Sequence, residues 1–446
     1  MDFLKISDMN CIFLGGGLSS HASGTNTHGQ SRNERHIDGM THSNDILIVG
    51  GGLNGPALAL ACANAGLTVT IIDRIGAHTL SDAGFDGRGY ALSLSSQRLL
   101  KALGIWDVVR GHAQPILDVK VTDGKAGDGP APFMLEFDHA ETDDGPVGFM
   151  VEDRFLRRAL LDALATHPQI TQIEGSVTAQ NVDATGAQLT LSDGSTLSGR
   201  LIVGCDGRSS GTAERAGIGR TGWGYNQTAL VCAIAHELPH NGCAHQYFMP
   251  AGPLAILPLP DNKSSIVWTE KASVAQGIQA LSDEEYLAVL RPRFGDFLGD
   301  ISLAGKRFTY PLNLTLANAF AADRVALVGD AAHGMHPIAG QGLNAGFKDV
   351  GALAEVLVEA QRRGEDIGRI DVLDRYQQWR RFDVASQAMM TDGFNKLFSN
   401  DNPILRLGRD IGMGIVNALP SLRRAAMREA AGVSGDLPKL MQGKPL

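Results

Sequence analysis

The chain has little cysteine. Its 446 residues hold five, at positions 11, 62, 205, 232 and 243, and no two are spaced as a metal-ligand pair. An odd, scattered set does not suit a disulfide scaffold and fits a reducing compartment, so a cytoplasmic location is expected. Positive charge is also in deficit. Lys and Arg number 39 against 48 Asp and Glu, a net charge of −9, which argues against non-specific nucleic-acid binding. No apolar run approaches the roughly 18 residues of a membrane-spanning helix. A peripheral contact at the inner face of the membrane stays open. What is present is globular, 43% hydrophobic and 20% charged, in a chain long enough for two or more units.

One segment carries most of the information. Residues 45–74 read DILIVGGGLNGPALALACANAGLTVTIIDR. Positions 46–49 are a short apolar run, as expected of a strand buried on both faces. Gly50, Gly52 and Gly55 follow at GxGxxG spacing. The first allows a tight turn, the second lets backbone approach a pyrophosphate, and the third lets helix pack on strand. Pro56 falls in the first helical turn, where its missing N–H costs nothing. Gly66 ends the helix. A second strand runs to Asp73, eighteen residues beyond Gly55, the spacing of a carboxylate that holds ribose hydroxyls. A glycine triplet alone would be weak. Strand, turn, helix, strand and acid in this order point to a dinucleotide site in a Rossmann-like α/β fold.

Residues 1–42 differ in character. They are rich in Ser, Gly, His and Asn and are expected to be a disordered tail or an upstream extension, with Met40 a candidate natural start. Residues 12–17 echo the fingerprint, but neither helix pattern nor acid follows. Beyond Asp73, residues 91–109 show helical apolar spacing, which would set Arg88 just before a helix. Residues 116–122 and 133–137 read as strands, 154–165 as an amphipathic helix, and 170–203 as strands with a hairpin turn at 192–195. A buried strand leads into Cys205-Asp206-Gly207. From 226 to 310 the pattern is β-rich, with strands expected at 228–235, 244–249, 254–257 and 265–269 as the roof of a pocket. A buried strand then ends at Asp330, a long helix is expected over 344–360, and the chain to 430 is mostly helical.

Three strand-ending signals now stand together: residues 50–55, 205–207, and GDAAHGMHPIAGQGLNAGFKD at 329–349. The set resembles the single-component flavoprotein aromatic hydroxylases from Asp45 almost to the end of the chain. Their third motif, GDAAHxxxPxxGQGxNxGxxD, is met at every position. Segments 85–106, 224–259 and 391–399 are similar to the ubiquinone-biosynthesis hydroxylases within that group. The resemblance implies a discontinuous Rossmann-like FAD-binding domain (43–117, 150–225 and 310–375). It also implies an inserted β-sheet substrate domain (118–149 and 226–309) and a helical C-terminal region (376–446). FAD would be the cofactor and NADH or NADPH a transient co-substrate. With O2, the enzyme would hydroxylate a lipophilic polyprenylated phenol through a flavin C4a-hydroperoxide. Other ubiquinone-biosynthesis proteins are implied partners. The cofactor carries such chemistry, so the lack of a Ser-His-Asp set, metal site or carboxylate pair is in keeping. Two rival readings stay open: a hydroxylase of a soluble aromatic acid or secondary metabolite, and a flavin-binding accessory subunit without turnover.

The resemblance also assigns residues. Gly50, Gly52, Gly55 and Asp73 would hold the adenosine half. Arg88 suits the pyrophosphate, because a guanidinium matches two phosphate oxygens. Asp330 would hold the ribityl chain. Gly340, Gln341 and Gly342 precede a helix expected from 344. Its N-terminus, with the N–H groups of Leu343 and Asn344, would stabilise charge on reduced flavin. Pro337 would lie against the isoalloxazine ring. His333 and His336 are flavin-facing candidates, with packing and capping as the alternative. Asp206 is expected to fix a turn beside the flavin. The family's second motif runs DGxxSxxR; here Ala213 takes the Arg position and Arg215 lies two residues on, so the role of that Arg is not carried over. No general base is assigned. Phe248, Leu254, Ile256 and Leu257 are candidates for an apolar pocket wall. Residues 404–427, with Arg406, Arg409, Arg423 and Arg424, could rest on a membrane surface or a partner.

Overall fold

A computed structural model of the chain describes residues 36–37, 40–41, 44–76, 86–125, 129–141, 144–334, 341–398, 414 and 416–446. The expectations for residues 1–35, for His336, Pro337 and Gly340, and for most of 404–415 lie outside the described residues.

The fingerprint strand, Asn44–Val49, is central to an eight-stranded sheet. Val69–Asp73 and then Ile170–Glu174 run parallel to it on one side. Thr196–Gly204 and then Val325–Leu327 do so on the other. The order therefore steps outward in both directions from Asn44–Val49, and its carboxyl end is the switch point where such sheets bind ligands. The strand is buried on both faces. Ile46 and Ile48 pack with helices Asn54–Asn64 and Gln341–Arg362. Leu47 and Val49 pack instead with Leu189, Leu191 and Ile202. The antiparallel strands Val177–Val182 and Ala187–Leu191, which carry part of that layer, extend the sheet from the first half of Thr196–Gly204.

A nine-stranded sheet stands against this unit. Its spine is Arg220–His236, which pairs with Lys263–Lys271 and Phe308–Ala317. Gly252–Leu259, Cys243–Met249, Asp118–Lys125 and Gly129–Asp138 follow in order. Arg220–His236 crosses position 225/226, and Phe308–Ala317 crosses 309/310. Helices Ala272–Gln279 and Asp283–Phe294 cover one face of the sheet. The β-rich reading did not include them. Their sequence signal is a capping box, in which Ser282 accepts from Glu285 N and the Glu285 carboxylate accepts from Ser282 N.

A small third sheet pairs Gly89–Ser93 and Ala113–Ile116 with Gly148–Glu152. It corrects the helix expected over 91–109. Residues Gly89–Ser93 are strand, Ser93 caps the helix Leu94–Ala102, and Arg88 precedes a strand. The partner strand is some sixty residues away in the chain, so local periodicity cannot register it. The long helix also begins earlier than expected, at Gln341, so Gln341 and Gly342 belong to its first turn. Among the described residues, no helix is long and apolar enough to cross a membrane.

Candidate functional site

The glycine turn is shaped by close approach. Gly50 has φ +114°, and a Cβ there would lie 2.3 Å from the Cys205 carbonyl oxygen. A Cβ at Gly55 would lie 2.0 Å from the Gly50 carbonyl oxygen. Gly52 differs: it is exposed, and nothing lies within 4 Å of where its Cβ would be. The space beside it suits a pyrophosphate that needs the bare backbone. Helix Asn54–Asn64 begins there with no side-chain cap and no acid in its first turn, so its N–H groups and positive end stay open to an anion. Asp73 accepts from Gly51 N at 2.5 Å and Ile75 N at 2.8 Å, which braces the turn. These features fit the adenosine and pyrophosphate half of FAD.

Asp206 does fix a turn. It accepts from Ser210 Oγ at 2.5 Å and from Thr212 N and Oγ1 at 2.9 Å. Ser210 in turn caps the short helix Gly211–Arg215. Ala213 is buried at the family's Arg position, and Arg215 reaches back to the Val177 carbonyl at 3.5 Å. Asp330 lies on the turn after Val325–Leu327, half-exposed, with Arg208 Nε donating to its Oδ2 at 3.0 Å. Arg208 was not singled out in the sequence, although it directly follows the Asp206-Gly207 pair.

The rest of the third motif is tied together by a buried carboxylate. Asp349 Oδ2 accepts from Gly329 N at 2.9 Å and meets His333 Nε2 at 2.6 Å, while Oδ1 accepts from Arg380 Nε at 2.7 Å. Burial would push the Asp349 carboxyl up, but His333 and Arg380 outweigh it and hold it below the usual carboxylate range. His333 is therefore engaged in the protein interior, which favours the packing alternative for this residue. Asn344 contributes its side chain as well. Its Oδ1 accepts from Ser93 N at 2.9 Å and Ser96 Oγ at 2.7 Å, and its Nδ2 donates to the Ala91 carbonyl at 2.9 Å. Leu343 packs on the core, and Gly342 has open space where a Cβ would be. Asn54 joins the first and third motifs: Cβ atoms at Gly329 or Gly346 would lie 2.2 or 2.4 Å from its Nδ2.

Arg88 stands at the seam between the sheets. Its Nε donates to Asp86 at 2.8 Å, its Nη2 lies 3.7 Å from Asp153, and the guanidinium sits 5.7 Å from the Phe308 ring centre. Holding a pyrophosphate would require it to share its hydrogen bonds with Asp86. Tyr90 donates to the same Asp153 at 2.9 Å.

The candidate pocket wall is split by strand alternation. Leu254 and Ile256 point under the helices, packed with Trp268 and Tyr286. They are fully buried core, which corrects the expectation that they line a pocket. Leu257 and Phe248 point the other way, toward the flavin-binding unit. On that face Val231, Leu257 and Val267 keep accessible surface although they lie on interior strands, whereas Leu230, Ile256 and Ile266 on the opposite face have none to speak of. An interior strand keeps such surface only beside a hollow. Part of the face is closed by Met150 and Ile116 of the small sheet, and helix Ile370–Phe398 passes beside Gly252–Leu259.

Comparison with known proteins agrees with this geometry. A family model described as an FAD binding domain matches residues 43–392. Ubiquinone hydroxylase UbiL of Rhodospirillum rubrum is 47% identical over 406 residues, 90% of this chain and 93% of its own length. The 3-demethoxyubiquinol 3-hydroxylase of Escherichia coli is 36% identical over 393 residues, 87% of this chain and 98% of its own. Among solved structures, p-nitrophenol 4-monooxygenase PnpA of Pseudomonas putida DLL-E4 superimposes with TM-score 0.73 at 20% identity. It covers 87% of this chain and 98% of that one, a likeness of fold.

Proposed function

Because the chain belongs to the FAD-dependent monooxygenases defined by this FAD-binding domain, we propose that it hydroxylates the aromatic ring of a polyprenylated phenol in ubiquinone biosynthesis. NADH or NADPH would be the reductant and O2 the oxidant. One observation of the structure carries the substrate class. The hollow beside the flavin cradle is floored by apolar side chains, Val231, Ala255, Leu257 and Val267. Among the described residues, Arg88, a cation at its edge, is already paired with Asp86 and Asp153. A soluble aromatic acid would need an uncommitted cation for its carboxylate.

FAD, when bound, supplies the activation of O2 and the transfer of oxygen to the ring. The residues of the chain bind, orient and exclude water. Gly52 and the open end of helix Asn54–Asn64 would take the pyrophosphate, and Asp73 the ribose. Asp330, steadied by Arg208, would take the ribityl hydroxyls. The start of helix Gln341–Arg362 would place backbone N–H groups and a positive dipole end beside the flavin. The sheet face would keep water from the reacting ring. We assign 43–117, 150–225 and 310–375 to the flavin domain, 118–149 and 226–309 to the substrate domain, and 376–446 to the C-terminal region. Such a substrate resides in lipid, so the reading includes peripheral contact with the inner face of the membrane and with neighbouring enzymes of the pathway.

The test is anaerobic titration of the purified, FAD-loaded protein with NADH and NADPH, with and without a short-tailed prenylphenol, followed by product mass analysis in air. Flavin bleaching that the phenol accelerates, with a product heavier by one oxygen, is expected. Bound FAD that neither nucleotide reduces would put the accessory-subunit reading in its place. Oxidation of benzoate-type acids but not of the prenylphenol would refute the substrate class.

A further inference from the structure

Helix Gln341–Arg362 starts beside the flavin cradle, and a helix dipole acts only within about its first turn. Its position along its own axis therefore matters: a slide by one residue moves the end by about 1.5 Å. Near this end Asn344 is committed to Ser93 N, Ser96 Oγ and the Ala91 carbonyl. Behind it lies a chain of buried hydroxyls. Ser93 Oγ donates to Ser96 Oγ at 3.0 Å and lies 3.1 Å from Ser95 Oγ. Residues 431–446 close over these serines. Ser95 N donates to the Ala431 carbonyl at 3.3 Å, and Ala431 and Val433 pack with Leu94. Gly432 has φ +67°, and a Cβ there would lie 2.6 Å from Ser95 Oγ and 3.1 Å from Ser93 Oγ. The same segment then meets the helix further along. Pro438 packs on Gly351, where a Cβ would lie 3.0 Å from it. Lys439 N donates to Glu355 at 2.7 Å, and Lys439 Nζ pairs with Glu355 and Glu359 at 3.0 and 2.9 Å. Leu440 and Met441 are buried in the core of the flavin-binding unit.

One segment thus grips one helix at two places, through the serines at the flavin end and through Glu355 and Glu359 beyond it. Two grips spaced along an axis limit sliding in a way that one cannot. We propose that residues 431–446 are a strap that sets the axial position of helix Gln341–Arg362, with Gly432 and Ser96 as positioning residues through which it acts on the helix start. The strap thereby sets how strongly the helix end favours the negative charge of reduced flavin over the oxidised form. Gly432 is required at the crossing because a side chain would need a strained backbone and would displace the hydroxyls beneath it. The inference rests on the flavin placement proposed above and does not depend on the substrate.

The experiment measures the midpoint potential of the bound flavin in the FAD-loaded protein, beside the thermal stability of each apoprotein. Gly432→Ala pushes on the serines, and Ser96→Ala removes a donor to Asn344. Each should lower the preference for reduced over oxidised FAD by about two- to fivefold, the effect of a weakened helix-dipole contact, read as a fall in potential. Lys439→Met, at the other grip, should shift it in the same direction. Ile256→Ala, a core cavity in the other large sheet, should lower stability and leave the potential unchanged. Wild-type potentials in both strap variants, Gly432→Ala and Lys439→Met, would overturn the proposal, even if Ser96→Ala shifted. An equal fall in Ile256→Ala would overturn it too, as a mere effect of stability. If Gly432→Ala did not fold, Lys439→Met would decide by the same readout. A wild type whose bound FAD kept the potential of free flavin would refute the flavin placement, and this inference with it.

Discussion

The strongest energetic prediction concerns the buried pair Asp349 and Arg380. Their side chains are 0% and 1% exposed, and Arg380 Nε donates to Asp349 Oδ1 at 2.7 Å. Removing one partner of such a pair leaves the other charge buried, which typically costs about 3–5 kcal/mol. Asp349→Asn should therefore lose about that much at pH 7, a large part of the roughly 5–15 kcal/mol that holds a domain folded. The Asp383 carboxylate, which also pairs with Arg380, should temper that loss, whereas Arg380→Met breaks both pairs and should cost a similar amount, with Asp349 left to His333 and Asp383 to Lys348. The double variant removes both charges, so its loss should fall short of the sum by about 1.5–3 kcal/mol. Urea unfolding of the four proteins, followed by circular dichroism, gives the coupling. Losses that simply add, within about 0.5 kcal/mol, would refute the pairing argument. The pH dependence supplies an independent check. The folded Asp349 carboxyl lies below its ordinary value, so its stabilisation is complete above the unfolded pKa of about 3.9 and fades as pH falls through the folded value. Asp349→Asn should lack this component of acid unfolding below about pH 4. Its FAD content should also fall, because Gly329 and His333, which flank Asp330, lose their anchor.

Further predictions separate cofactor, substrate and fold. Gly52→Ala should leave the apoprotein as stable as wild type, since its Cβ meets nothing within 4 Å, yet weaken FAD binding measured by fluorescence titration. Gly55→Ala should lower both, because its Cβ would lie 2.0 Å from a backbone oxygen. Equal behaviour of the two variants would count against the open space at Gly52 as the phosphate cradle. Ile256→Ala should destabilise by about 2–5 kcal/mol with little change in KM for a prenylphenol, whereas Phe248→Ala should raise KM; the reverse would place the pocket on the other face. Burial, with a smaller contribution from Lys120, lowers the His245 pKa to about 4. The fold therefore disfavours its protonated form, and stability should decline as pH falls from the unfolded value of about 6.5 toward 4. His245→Gln should flatten that decline in thermal melts taken between those pH values.

The ligand class was legible in the sequence because its signals are local. A strand, a glycine turn, a helix and an acid are set by backbone rules that act over a few residues, and Gly50, Gly52, Gly55 and Asp73 occupy the places those rules require. The third motif was complete as text, and it contained Asp349 and Asn344. Their partners, Arg380, Ser93 and Ser96, were not legible, because chain reversals bring them together over separations that no periodicity encodes. Alternation along Gly252–Leu259 showed that the strand has two faces. Only the packing of helices Ala272–Gln279 and Asp283–Phe294 decided that Leu254 and Ile256 are core, and that Leu257 and Phe248 face the flavin-binding unit. Arg88 shows the same division: its charge and its place beside Gly89 are written in the chain. Asp86, two residues before it, is a local partner, but the strand pairing that follows it and the Asp153 carboxylate that faces it depend on where Gly148–Glu152 and the following helix arrive in space. Local propensity selects the elements, and the burial of their apolar faces selects which side chains meet.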